Sequence, residues 1–364
     1  MSAQPLRIAF VVEHALGHVT HAQALERAVD ADGGIAADWI RVAPSADDAL
    51  ERMPCLPFSM KMSLRARRSI AARLREQPLD GLFMHTQNVT PACSGVVGAI
   101  PSVISLDATP RNFGEIADGY GERGATGLRD TLKTAVYRHV FARARMLVTM
   151  SSWARDSLLA DYGVDPAKVA VVPPGIDLEA WRPREAAPAR GPLRLLFVGG
   201  DFRRKGGATL IEAFRHGLSK RCELDIVTRD ENVPHGPGIR LHRGLSCNDP
   251  ALRELYARAD LFVLPSKGDA SPFVVIEAMA SGLPVVATDV GAIREMVRDG
   301  SNGCLVRSGD ALALIGCVRE LDEHRERLRE MGHAARSAAE KSFDARRNYS
   351  RLVGIIKQAA GVPA

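Results

Sequence analysis

Asp269-Ala-Ser-Pro-Phe-Val-Val-Ile-Glu277-Ala-Met-Ala-Ser-Gly282-Leu-Pro284-Val-Val-Ala-Thr288-Asp289 is the stretch on which the reading of this chain turns. Two carboxylates stand eight positions apart, the first expected in a loop and the second at the start of a helix. A small-residue turn follows, then the apolar run Val285–Thr288. Loop, short helix, tight turn and wholly apolar strand in that order is the signature of a parallel sheet covered by helices. The same layout offers acceptors to two clusters of hydroxyls. Backbone N–H groups between the carboxylates, near a helix N-terminus, would face a phosphate.

Working outward, apolar strand-length runs alternate with helical patterns along the whole chain, so the fold class is α/β with parallel sheets. The first half predicts strands at Leu6–Val12, Trp39–Val42, Gly81–His85, Ser102–Leu106, Met146–Met150 and Val169–Val172. Prolines then cluster from Pro173-Pro-Gly175 through Pro183 to Pro188 and Pro192, where neither sheet nor helix can continue, and a linker is expected. The pattern restarts with strands at Leu193–Val198, Leu224–Val227, Ile239–Arg243, Leu261–Leu264, Val285–Thr288 and Cys304–Val306. No internal repeat or low-complexity tract interrupts it.

With 364 residues, 46% hydrophobic and 25% charged, the chain can form two ordinary globular domains. No apolar run reaches the length of a membrane span, and the start Met-Ser-Ala-Gln-Pro-Leu-Arg lacks a signal-peptide layout, so a cytoplasmic protein is expected. Six cysteines without Cys-x-x-Cys spacing read as reduced thiols, not as a disulfide framework or zinc site. The net charge of +5 is modest, but Met60–Glu76 carries six basic residues against one acid, and a second basic stretch runs from Arg123 to Arg145. With Met60, Met62, Leu64, Ile70 and Leu74 interleaved, the first stretch is either a solvated helix face or an amphipathic surface that meets anionic lipid at the inner face of a membrane. Aromatics are 5% of the chain and none sits among these arginines, so nucleic acid is not an expected partner.

The opening stretch resembles the donor-binding motif of retaining nucleotide-sugar glycosyltransferases of family 4: carboxylate, seven residues, carboxylate, then Ala-Met-Ala-x-Gly-x-Pro-Val. The match continues from Leu261 to Val306, including Gly291-Ala-Ile-Arg-Glu295 and Asp299-Gly-Ser-Asn-Gly303. One departure is Asp269, where the family usually has Glu. The resemblance implies the GT-B architecture, two Rossmann-like domains facing each other across a cleft. It places an acceptor-side domain at residues 1–175, a nucleotide-sugar domain at 176–342, and a last segment, 343–364, whose helix crosses back to the first domain. It implies a hexosyltransferase-type enzyme that moves a sugar from a nucleoside-diphosphate sugar to a lipid, glycan or small-molecule acceptor. No cofactor or metal is expected, because such enzymes generally need none.

Site residues follow from the same resemblance. Glu277 would accept from the ribose hydroxyls, Asp269 from the transferred sugar, and backbone N–H groups at Phe273 and Val274 would touch the diphosphate. Lys205, in Val198-Gly199-Gly200-Asp201-Phe-Arg203-Arg204-Lys205-Gly206-Gly207, matches the family's diphosphate lysine. Preorganised cations here would stabilise the charge growing on the departing diphosphate. Arg203 or Arg204 would replace the arginine that the family often has at Gly200. The base would lie near His242-Arg243-Gly244-Leu245, read by backbone.

In the first half, Val12-Glu13-His14-Ala15-Leu16-Gly17-His18-Val19-Thr20-His21 ends a strand in a glycine turn, and Gly17 and His18 are expected at a ligand edge. The glycine argues for a loop and against a three-histidine metal site. Pro101-Ser-Val103-Ile-Ser105-Leu-Asp107 corresponds to a family run ending in His, so Asp107 either offers a carboxylate to the reacting sugar or caps a turn before Thr109-Pro110. His85 is expected at the same edge, and Ser151 or Ser152 as a helix N-cap. No carboxylate is obviously placed as a covalent nucleophile, so front-face transfer is favoured. Two other readings remain: a catalytically silent nucleotide-sugar binder, and an NAD-dependent oxidoreductase, against which Val12–His18 lacks Gly-x-Gly-x-x-Gly.

Overall fold

The computed structural model describes residues 4–121, 127–183 and 191–361. Arg123, Pro188 and the first three residues, to which parts of the sequence reading refer, lie outside the described residues. The chain divides into two compact units, one of residues 1–114, 125–175 and 345–364, the other of 115–124 and 176–344.

The first unit is built on six parallel strands: β1 (Leu6–Glu13), β2 (Ile35–Val42), β3 (Gly81–His85), β4 (Ser102–Leu106), β5 (Met146–Thr149) and β6 (Val169–Val171). Their order is β2-β1-β3-β4-β5-β6. Its helices are α1 (Leu16–Asp32), α2 (Phe58–Glu76), α3 (Ser94–Ala99), α4 (Pro110–Ile116, which runs into the second unit), α5 (Leu128–Arg143) and α6 (Ser152–Tyr162). Alternation along β1 sends Ala9 and Val11 to one face, with Met62 and Ile70 of α2 and Tyr137 and Phe141 of α5. Ile8, Phe10 and Val12 go to the other, with Leu25 and Val29 of α1. Ser151 caps α6 by accepting from the Ala154 N–H at 3.2 Å.

The second unit repeats the plan with β7 (Leu193–Val198), β8 (Cys222–Val227), β9 (Ile239–His242), β10 (Leu261–Leu264), β11 (Val285–Thr288) and β12 (Gly303–Val306), ordered β12-β11-β10-β7-β8-β9. Around them lie α7 (Gly207–Ala213), α8 (Pro250–Arg258), α9 (Phe273–Ala280), α10 (Ile293–Met296), α11 (Ala311–Glu323) and α12 (Arg325–Ser342). The last helix, α13 (Ala345–Ala359), belongs to the first unit: Tyr349, Leu352, Val353 and Ile356 join the cluster of Ile8, Phe10 and Phe83.

Four expectations need correction. His18 and His21 lie in the first turns of α1, not in a loop, because a glycine at the second helical position still leaves the rest of the turn to form. Glu277 is the fifth residue of the eight-residue α9, not its start. Residues 115–121 group with the second unit, where the backbone at Ile116 and Gly119 packs on Gly268 and the Tyr120 ring lies 4.4 Å from the Arg204 guanidinium carbon. In α2, Met62 and Ile70 are core residues and Arg65 is tied to Asp48 and Glu51, so the apolar set read as lipid-facing is not available as a set.

Candidate functional site

In the second unit β7 and β10 are neighbours, and the chain winds away from them in opposite directions. The crevice beyond the carboxyl ends of such strands is where α/β sheets bind ligands. Both motif segments leave from this point. Gly199–Gly206 runs from β7 to α7, and Pro265–Pro272 runs from β10 to α9. Gly206, at φ +81°, closes the first turn; a Cβ there would stand 1.7 Å from the Pro265 carbonyl oxygen. The two segments are therefore packed backbone to backbone.

That packing puts Lys205 on Asp269. The Lys205 Nζ donates to both Asp269 oxygens, at 2.7 and 2.8 Å. Ser266 Oγ donates to Oδ2 at 2.8 Å, and Arg204 Nη1 reaches Oδ1 at 3.4 Å and the Gly268 carbonyl at 2.9 Å. A carboxylate has about four lone-pair sites, and these contacts occupy them. Asp269 is thus held as a buried counter-ion, which differs from the open hydroxyl acceptor of the sequence reading. Burial pulls the Lys205 ammonium below its ordinary range, with Asp269 opposing the shift. Of the two arginines, Arg204 is buried in this cluster and Arg203 is exposed.

Glu277 is buried, and Tyr256 of α8 donates to its Oε2 at 2.8 Å. Burial raises the Glu277 carboxyl to about 7, against the lowering influence of Tyr256 and Lys205. At the N-terminus of α9 no side chain caps the helix, and the hydroxyl of Ser271 is buried without a partner. The Phe273 and Val274 N–H groups belong to that first turn. Uncapped amides and an orphaned hydroxyl are groups that an anion would satisfy. Arg243, just past β9, is exposed and donates to the Glu231 carbonyl at 2.7 Å.

In the first unit, His18 Nδ1 lies 3.1 Å from His85 Nε2, and His85 Nδ1 lies 3.2 Å from Ser105 Oγ. His21 Nδ1 meets the Tyr349 hydroxyl at 3.0 Å, while its Nε2 is buried without a partner. Burial lowers His85 well below the usual imidazole range and His21 to about 3, so both are neutral. Asp107 stands just past β4; burial and nearby Glu13 raise its carboxyl, and His18 opposes them. Glu13 accepts from Thr86 Oγ1 at 2.5 Å and Asn88 Nδ2 at 3.1 Å. Gly17 is exposed at the start of α1. Among the described residues no group of three or more His, Cys, Asp or Glu side chains is arranged to hold a metal ion.

Tyr256, Ser266, Ser271 and Ser105 escaped the sequence reading. Each lies outside the motif spacing or is a common residue within it, and only the fold brings it to its partner.

Two family models match the chain, Glycosyltransferase Family 4 over residues 17–180 and Glycosyl transferases group 1 over residues 192–324. The chain carries a Glycosyltransferase Family 4 domain and a Glycosyl transferases group 1 domain. A D-inositol 3-phosphate glycosyltransferase of Geodermatophilus obscurus is 33% identical over 219 residues, 52% of this chain and 48% of that protein. An MMP alpha-(1->4)-mannosyltransferase of Mycolicibacterium hassiacum is 32% identical over 227 residues, 58% and 54% of the two chains. The chain spans about half the length of the curated relatives it matches. Among solved structures, sucrose-phosphate synthase of Thermosynechococcus elongatus aligns with TM-score 0.77 at 18% identity, over 97% of this chain and 98% of that one. The glycosyltransferase WaaG aligns with TM-score 0.70 at 19% identity, over 96% and 99%. The fold is that of GT-B glycosyltransferases. No helix among the described residues is long and apolar enough to cross a membrane.

Proposed function

We propose that the chain is a retaining, hexosyl-type glycosyltransferase that takes its sugar from a nucleoside-diphosphate sugar. The observation that carries this reading is the anion seat in the second unit. Lys205, Arg204, the uncapped start of α9 and the unpartnered Ser271 hydroxyl gather at the switch point of the sheet, with Glu277 four residues into the same helix. The diphosphate would sit on these groups, without a metal ion, and Glu277 Oε1 would accept from the ribose. Asp269 keeps Lys205 extended towards that seat; a sugar hydroxyl would reach Asp269 only by replacing one of its present donors. Charge growing on the leaving diphosphate then meets donors already in place. The base, in this reading, is met by backbone beside Arg243.

The first unit takes the acceptor. Asp107 and His18 are its polar groups, with Gly17 leaving the start of α1 open. Among the described residues we read no carboxylate as a covalent nucleophile, which supports front-face transfer with the leaving phosphate oxygen taking the acceptor proton. The acceptor is a lipid, a glycan or a small molecule, with the protein at the inner membrane surface in the first case.

The test is release of free nucleoside diphosphate from UDP-, GDP- and ADP-sugars, followed by NMR assignment of the product anomer. Release with retained configuration is expected. Tight nucleotide binding without release over many hours would favour a silent nucleotide-sugar binder, and inverted configuration would remove the retaining mechanism.

A further inference from the structure

A helix that covers a sheet normally turns one apolar stripe inward and keeps the other side polar. Helix α5 has two apolar sides. Tyr137, Val140 and Phe141 are buried. Leu128, Leu132 and Val136 point outward, 76%, 59% and 40% exposed. At four-residue intervals these three drift only about 80° around the helix and extend about 12 Å along it, so they form one continuous stripe. Three of the seven large exposed hydrophobics among the described residues are on this single face. A fourth, Phe58, begins α2, whose Met62 shares a buried cluster with Tyr137 of α5.

The exposed charged residues of α5 are all basic. Arg129 and Lys133 are exposed beside it, and the one acid on α5, Asp130, is spent on Arg111. Beyond the helix end, a cavity of about 720 Å³ is lined by Arg143, Arg145 and Lys168 with no acidic residue. An apolar ridge framed by cations is the profile of a helix lying in the plane of an anionic lipid interface, its apolar side chains among the acyl chains and its cations at the headgroups.

We propose that α5 is an in-plane anchor: the Leu128–Leu132–Val136 ridge enters the outer layer of an anionic membrane, with Arg129 and Lys133 at the headgroup level. This moves the membrane-facing surface from α2, whose Met62 and Ile70 are core, to α5. It commits to lipid rather than to a second copy of the chain because a copy would bring the same cations against these. The proposal does not depend on the donor reading: an anchor serves a silent binder equally well.

The experiment is sedimentation of the full chain with vesicles of phosphatidylcholine alone and with phosphatidylglycerol added. The wild-type chain is expected to sediment with the anionic vesicles. The double variant Leu128→Ser, Leu132→Ser should lower that partition at least about tenfold, the loss expected for withdrawing one leucine or more from an apolar phase. Both positions are solvent-exposed, so its thermal unfolding and nucleotide affinity should match wild type. Arg67→Glu, Arg68→Glu on α2 should change partition less than the leucine pair. In about 1 M salt, where the Debye length is about 3 Å, part of the wild-type binding should persist. Failure to sediment at low salt, equal partition of the leucine variant, complete release by salt, or a concentration-dependent dimer abolished by the leucine variant would each overturn the anchor.

Discussion

Replacing Glu277 with Gln tests whether this carboxyl is kept for a ligand at the expense of the fold. The group is buried, and its pKa stands at about 7 against an ordinary 4.5. Between those values the folded chain holds a proton that the unfolded chain has lost. Stability therefore falls as pH rises from about 4.5 to about 7 and is level above that. The gap corresponds to about 3 kcal/mol of penalty at pH 8, because burial disfavours the charged form. Gln keeps an oxygen for the Tyr256 hydroxyl and carries no charge, so Glu277→Gln should stabilise the chain at pH 8 and leave it nearly unchanged at pH 5. For a unit of this size the gain should appear as a rise in Tm of roughly 2–4 °C per kcal/mol. The same variant should bind nucleoside diphosphate more weakly by about 1.5–3 kcal/mol at pH 8, since a charged acceptor for the ribose is gone. Differential scanning calorimetry at pH 5, 6, 7, 8 and 9, with titration calorimetry at pH 8, reads both. A variant no more stable than wild type at pH 8, or one with unchanged nucleotide affinity, would refute the reasoning.

Lys205→Ala should reduce turnover by about 10²-fold or more, as for loss of one preorganised electrostatic group, and activity within a factor of about three of wild type would end that assignment. The same change strips Asp269 of its principal counter-ion, so Lys205→Ala with Asp269→Asn should be more stable than Lys205→Ala alone by thermal unfolding; a lower Tm for the double variant would contradict the ion-pair account. Gly206→Ala must move the Pro265 carbonyl and strain a left-handed residue, and should cost more than about 1 kcal/mol in chemical unfolding; a neutral effect would mean the two segments are not packed as described. His21 and His85 are held neutral, so the first unit should lose stability as pH falls below about 6.5 and continue to do so towards 3; protection of the α1 amides relative to their intrinsic exchange rates that rises over that range would contradict it.

Strand positions were readable because buried parallel strands are continuous apolar runs. β3, β4, β7, β10 and β11 lie within the stretches read from the sequence, to the residue. β2 begins four residues earlier than expected, at Ile35, because the edge strand starts with the weakly apolar Ile-Ala-Ala-Asp. The motif residues were named from their spacing, but their partners were not. Lys205 and Asp269 are 64 positions apart, His18 and His85 are 67, and Tyr256 and Glu277 are 21. Such pairs are properties of the sheet order and carry no local period. That Asp269 is already engaged by Lys205, Ser266 and Arg204 was not legible for the same reason: which donors surround a carboxylate depends on which loop lands beside it.

The placement of α13 bears on how the chain can be made. Its Tyr349, Leu352, Val353 and Ile356 close the hydrophobic cluster over Ile8, Phe10 and Phe83, and Lys357 pairs with Asp32. The sheet of the first unit is complete once residue 171 has been synthesised, yet one of its faces, covered only in part by α1, stays unfinished until residue 345 and beyond emerge. At ribosomal speeds of about 5–20 residues per second that interval is roughly ten to thirty seconds. The half of the protein that is translated first is thus the half that finishes folding last. Chaperone demand on the nascent chain should centre on the α13-facing side of β1 and β3.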